Sequence, residues 1–178
     1  RPCSAGGGFY LSKAVENVFG PLTIDQSVER IVAAAREVKN DVPFVILAHS
    51  GPTGLGSDYH SICGRDWKNP SVDWGDQDLA LAIEQIRKFR NPDLVIFGHM
   101  HHQLKRGRGL RETFTEDKFG TYYLNTACVP RRIIDQDGSN LSNFSEINFL
   151  DGKLIFVAHK WLSSNGSLVY QQTLLDLY

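Results

Sequence analysis

Two short apolar runs in the chain end on histidine. His49 directly follows Pro43–Ala48 (PFVILA), and His99 comes one residue after Leu94–Phe97 (LVIF), within Phe97-Gly98-His99-Met100-His101-His102. In an open α/β sheet, ligands collect at the carboxyl ends of the strands, so His49, His99 and His101 are expected to converge on one crevice. Neutral imidazole is a good ligand for Zn, Fe or Mn, and several such groups at strand ends can hold a metal. His99 and His101 are two residues apart, so in extended backbone their side chains share a side. They could then reach two neighbouring ions roughly 3.5–4 Å apart, the spacing of hydrolytic two-metal sites. Gly98 is expected to let the backbone turn sharply there. The plainer alternative is a set of polar loop histidines with no ligand role.

The elements that must position these residues are legible on both sides. Thr23-Ile24-Asp25-Gln26 has capping-box spacing. Ile24, Val28, Ile31, Val32, Ala35 and Val38 then recur at helical spacing, which predicts a helix over residues 25–39. PFVILA reads as a strand covered on both faces. A long loop follows from about Ser50 to Gly75. Asp76 is placed to cap a second helix striped by Leu79, Ala82, Ile83, Ile86 and Phe89. Arg87, Lys88 and Arg90 are expected in its last turn, where they would complement the dipole, with Pro92 beyond. LVIF is a second buried strand, so the order helix, strand, loop, helix, strand predicts an α/β layered sheet. Beyond about residue 120, four strands are expected at Thr121–Thr126, Phe144–Phe149, Leu154–Leu162 and Ser167–Leu174. Asp151-Gly152 and Asn165-Gly166 are two-residue hairpin turns by composition, and Asp135–Ser142 reads as a mobile connector.

Length and composition suit one ordinary globular domain: 178 residues, 42% hydrophobic and 22% charged. The formal net charge of -1 gives no extended basic surface for nucleic acid. No run approaches the ~20 apolar residues of a membrane span. Cys3, Cys63 and Cys128 are odd in number and far apart, which favours a reducing compartment inside the cell, cytoplasm or plastid, over a disulfide framework. The opening Arg1-Pro2-Cys3-Ser4-Ala5-Gly6-Gly7-Gly8 lacks an initiator Met and suggests an N-terminus cut from a longer chain.

Ala48-His49-Ser50-Gly51-Pro52 and Gly98-His99-Met100-His101 resemble, in order, the last two of five blocks that mark calcineurin-like metallophosphoesterases. Tyr122-Tyr123-Leu124-Asn125-Thr126-Ala127 resembles the strand that commonly follows Gly-His-x-His in that family. Arg1-Pro2-x-Ser4-x-Gly6-Gly7 and Gly51-Pro52-Thr53-Gly54-Leu55-Gly56 are similar to a branch found in cyanobacteria and plants. The resemblance implies that residues 1–178 form the C-terminal part of one metallophosphoesterase domain, a layered α/β/β/α sandwich. It implies a hydrolase that cleaves phosphate mono- or diesters with two divalent metal ions (Mn, Fe or Zn), acting on a small phosphorylated substrate or a phosphoprotein. His49 and His99 would bind one ion and His101 the other. No Gly-Asp-x-x-Asp and no Gly-Asn-His occurs in the chain. The catalytic residues are therefore expected upstream of residue 1, and the fragment alone should bind metal weakly and turn over poorly. A catalytically inactive scaffold on the same fold, binding protein partners, is the competing reading. A zinc-stabilised structural domain fits less well, because none of the cysteines is adjacent to the histidines.

Several residues carry two readings. Asp58-Tyr59-His60 mimics Asp-x-His, but it lies in a loop after the fourth block and reads as chance. His102 is expected to face away from His101, into solvent, with a supporting hydrogen bond as the alternative. Ser57, Asp58, His60, Arg65 and Asp66 are candidates to shape a substrate pocket, with Trp67 and Trp74 packing the loop down. Cys63 reads as a buried, inert thiol, and His159 as structural. Lys105, Arg106, Arg108 and Arg111 form a basic run that reads as a solvated loop or, with Arg106 and Arg108 foremost, as a substrate-binding segment. If it binds substrate, neutralising Arg106 and Arg108 raises KM and flattens its salt dependence; unaltered kinetics at both low and high salt would exclude that role.

Overall fold

The computed structural model describes residues 13–20, 22–105 and 109–178. The opening glycine-rich segment and the candidate substrate residues Arg106 and Arg108 lie outside them. The fold is mixed α/β with two four-stranded sheets and few helices. Among the described residues no helix is long and apolar enough to cross a membrane.

Among the described residues there are three helices: α1 (Lys13–Phe19), α2 (Ile24–Arg36) and α3 (Gln77–Ile86). The α2 start follows the sequence closely. Thr23 Oγ1 accepts from the Gln26 N–H at 3.2 Å, and Gln26 Oε1 accepts from the Thr23 N–H at 3.0 Å, a reciprocal capping box. Val28, Val32 and Ala35 bury one face of α2 against Phe44 and against Ala82 and Ile86 of α3. Deeper between the helices, Ser27 Oγ donates to Asp78 Oδ2 at 2.5 Å, both residues being buried.

Both helices end earlier than periodicity predicts. At α2 the Glu37 N–H turns back to the carbonyls of Ala34 and Ala35, closing the helix at Arg36. At α3 the Lys88 and Phe89 amides bond three residues back, to Gln85 and Ile86, a tighter turn than the α-helix. The basic residues therefore begin at the C-cap, Arg87, and follow α3 rather than lying in its last turn. Arg87 donates to Asp117 and, at 3.0 Å, to Tyr123 Oη, while Arg90 donates to the carbonyls of Lys39 and Val42. Phe89 is exposed beneath the Arg36 guanidinium. Asp76 occupies the N-cap of α3 with extended backbone, but its side chain makes no capping bond.

The first sheet has the order β1 (Val45–Leu47), β2 (Leu94–Phe97), β4 (Tyr122–Asn125), β3 (Phe114–Glu116). β1 runs parallel to β2, and β2 parallel to β4; β3 returns antiparallel to β4. The helices cover one face, where Val95, Phe97 and Tyr123 pack on Leu79 and Ile83. β2 is buried as expected, but β1 is an edge strand and Leu47 is 71% exposed, so PFVILA is not enclosed on both sides.

The second sheet is an antiparallel meander of β5 (Arg132–Ile134), β6 (Asn140–Leu150), β7 (Lys153–Ser163) and β8 (Leu168–Asp176). Its Leu154 and Val157 pack on Leu94 and Leu124 of the first sheet in one buried cluster. The Asp151-Gly152 turn has positive φ at both residues, 49° and 78°, as a two-residue hairpin requires. The other turn is longer. Asn165 keeps ordinary φ, and its Oδ1 accepts from the Ser167 N–H and the Ser163 hydroxyl, leaving only Gly166 left-handed. The expected connector Asp135–Ser142 is a tight turn followed by the start of β6.

His159 of β7 is structural, as its position predicts. It is 4% exposed, with Nδ1 2.8 Å from Ser145 Oγ and its ring 4.8 Å from that of His102. Burial first, and then the facing His102, lower its pKa from 6.5 to about 4. The unfolded chain therefore takes up a proton near pH 6.5 that the folded chain refuses until about pH 4. The stabilisation is complete above that window and is lost as pH falls through it, by about 3 kcal/mol at most. Denaturant midpoints between pH 7 and 4 should fall less steeply in His159→Gln than in the wild type. Parallel pH profiles would remove His159 from the account.

Candidate functional site

The β1–β2 ladder continues past the strands and sets the site. The Ala48 N–H donates to the Ile96 carbonyl at 2.9 Å, and the Gly98 N–H to the His49 carbonyl at 3.1 Å. His49 and His99 thus leave adjacent parallel strands side by side. Their Nε2 and Nδ1 atoms lie 3.1 Å apart, and their rings meet at 57° with centroids 4.8 Å apart.

The turn that achieves this falls on His99, not on Gly98. His99 has φ of 67°, and the Met100 N–H donates to the Gly98 carbonyl at 2.8 Å, a three-residue γ-turn centred on the histidine. A side chain in that conformation costs about 1 kcal/mol or more. Gly98 itself is not left-handed, and a Cβ there would meet the nearest atoms at ordinary distances of 3.8 and 3.9 Å. The extended backbone expected between His99 and His101 is therefore absent. Met100, between them, is buried.

A metal held by two imidazoles at about 2.0–2.1 Å in tetrahedral geometry keeps their nitrogens roughly 3.4 Å apart. The 3.1 Å pair is at hydrogen-bond distance and a few tenths of an ångström inside that spacing. Among the described residues no three histidine, cysteine or carboxylate side chains form a group able to hold a metal. His101 is exposed and joins His99 on the wall of a cavity of about 310 Å³. The structure thus pairs His49 with His99 and leaves His101 beside them.

The long loop adds Asp66, Trp67 and Trp74 to the same cavity wall. The two indoles meet edge to face, with centroids 5.4 Å apart and planes at 83°. The Arg65 guanidinium lies 4.9 Å from the Trp74 ring, and its Nη2 donates to the Pro70 carbonyl at 2.7 Å. The loop is compact enough to require glycine at position 64, where any Cβ would overlap the Asp58 carbonyl. Asp58 and His60 do not line the cavity. Asp58 Oδ1 accepts from the His60 N–H at 2.8 Å, and His60 Nδ1 donates to the Leu110 carbonyl at 3.1 Å. The Asp-x-His likeness is thus absorbed by local bonding. Cys63 is fully buried, and burial raises its thiol pKa, which keeps it neutral.

Arg111 is not part of a solvated basic run. It is 4% exposed, and its Nη2 lies 3.0 Å from Asp66 Oδ1. Its other donors bond the carbonyls of His101, Tyr59, Ser61 and Gly64. Asp66 Oδ2 also accepts from the Lys105 N–H. One buried ion pair therefore fastens the tryptophan loop to the histidine segment. Lys105 stays exposed on the cavity wall.

His102 faces away from His101, as expected, but not into solvent. Its Nε2 donates to the Asn125 carbonyl at 2.9 Å, its own amide donates to the Ala127 carbonyl at 3.2 Å, and its ring meets His159. Burial lowers its pKa and keeps it neutral. Asn125 was not singled out by its sequence context. It is fully buried at the end of β4, donates to the Met100 carbonyl at 2.6 Å and accepts from the Ala127 N–H at 3.0 Å. An amide ending an otherwise apolar strand beside the histidine strand is the signal that points to it.

No protein-family model matches the chain, and no curated protein does.

Removing the Asp66 carboxylate strands the Arg111 charge in the interior, which typically costs about 3–5 kcal/mol. Asp66→Ala should therefore lose about 3 kcal/mol in urea unfolding, whereas Asp58→Ala, at an exposed carboxylate, loses under about 1 kcal/mol. Equal losses would show that the pair does not anchor the loop.

Proposed function

We propose that this chain contributes to a metal-dependent phosphoesterase that hydrolyses phosphate mono- or diesters. The observation that carries the reading is the His49–His99 pair, 3.1 Å apart at the carboxyl ends of neighbouring parallel strands. A scaffold has no chemical need to hold two imidazole nitrogens in contact, one of them on a strained γ-turn.

The reading includes a layered α/β/β/α sandwich. The first sheet ends on β1, with Leu47 exposed and an apolar groove of about 360 Å³ between α2 and β1 that is lined by Ile31, Val38, Phe44 and Ile46. Further strands of such a sandwich would continue the sheet there, and ligands beyond the three histidines would enter from that side.

Two divalent ions, Mn, Fe or Zn, would supply Lewis acidity to the phosphoryl group and acidify a water. The chain's own residues hold and orient. His49 would offer Nε2 and His99 Nδ1 to one site, with the single proton now between them carried instead on the far nitrogen of its own ring, so that both facing lone pairs are free. His101 serves a neighbouring position. Met100 and Asn125 fix the backbone on which both His99 and His101 sit. Lys105 attracts the substrate anion, whether a small phosphorylated molecule or a phosphoprotein.

Metal analysis of the full-length polypeptide tests this directly. Near two transition-metal ions per polypeptide, falling in His49→Ala, His99→Ala and His101→Ala, is the expected outcome. His101→Ala should also abolish phosphate-ester turnover while leaving circular dichroism unchanged. A wild type that binds no metal would favour the non-catalytic scaffold, and undiminished turnover in His101→Ala would remove that residue from the site.

A further inference from the structure

Resting on the phosphoesterase reading, we infer that the substrate carries an aromatic group, an aryl or nucleobase-like ring, seated against Trp67 and Trp74 while its phosphate faces His99 and Lys105. One cavity holds all four side chains. At about 310 Å³ it falls in the range of pockets that enclose a small organic molecule, and a bare phosphate would leave much of it unfilled. Its lining combines two chemistries. His99, His101 and Lys105 supply polar lining, and the edge-to-face indoles supply aromatic lining.

Charge points the same way. Arg111 also lines the cavity, but Asp66 neutralises it and four carbonyls occupy its donors. Among the described lining residues, Lys105 is the cation left to meet an anion. The aromatic wall is also held in place before any ligand arrives. Asp66, next to Trp67, is pinned by Arg111 and by the Lys105 amide, and Trp74 is held beneath Arg65. Indole walls that do not rearrange give up little entropy on binding a flat ring. Such a wall discriminates against an alkyl ester of equal charge, because only a ring gains the aromatic contact.

Phenyl phosphate and methyl phosphate are the probes, compared in direct binding to the full-length polypeptide followed by tryptophan fluorescence. Phenyl phosphate should bind about tenfold more tightly and change the indole emission. In Trp67→Ala and Trp74→Ala its affinity should fall to that of methyl phosphate. Trp67→Leu keeps the apolar packing without the ring and should lose the preference equally, so a folding defect in the alanine variant cannot mimic the result. Equal affinities in the wild type, binding of neither probe, or a preference that survives Trp67→Leu would each overturn the inference. The two readings fail separately. Preferential binding of phenyl phosphate by a protein that hydrolyses neither ester would sink the phosphoesterase and leave the aromatic subsite standing. Hydrolysis of both esters at equal affinity would do the reverse.

Discussion

The parallel pairing of β1 with β2 is the constraint on which the site depends. Each strand is only a few residues long, and neither histidine is held by its own segment. The register Leu47↔Ile96, continued by the bonds from Ala48 and to His49, decides that His49 arrives beside His99. A slip of one residue would turn every side chain of β1 to the opposite face and separate the two imidazoles. The packing of Ile46 and Ala48 against the cluster of Val95, Phe97 and α3, and of Val45 against the cluster shared with the second sheet, fixes that register. Core packing and ligand geometry are therefore one problem in this chain.

Around the paired histidines, the fold uses polar groups where loops meet. Asn125 holds the Met100 and Ala127 backbone, His102 holds the carbonyl of Asn125, and Arg111 gathers four carbonyls and one carboxylate. Irregular backbone cannot satisfy its own donors and acceptors, so these buried side chains complete it. Arg87 does comparable work elsewhere, joining Asp117, Thr121 and Tyr123. Burial and the Asp117 carboxylate raise the Tyr123 pKa and keep that phenol a donor.

Much of this was legible in the sequence. The contiguous runs PFVILA and LVIF, the Thr23 box and the Asp151-Gly152 turn signal themselves through local chemistry. The elements that escaped are those that tertiary contacts create. β5 is three exposed residues that exist as a strand only through pairing with β6, β3 is three residues paired to β4, and α1 carries no clear stripe. The γ-turn at His99 was hidden because the neighbouring glycine drew the expectation of flexibility to itself. Arg111 looked like its basic neighbours, since nothing local distinguishes a solvated arginine from one matched to a carboxylate 45 positions away.

That last pairing also bears on how the loop comes to order. Arg111 and Asp66 are both nearly excluded from water, so a half-docked loop would bury one charge with nothing opposite it. Intermediate positions of the tryptophan loop are thus penalised relative to the fully docked and fully released ones. The same ion pair that closes the loop therefore also secures the cavity wall as a unit.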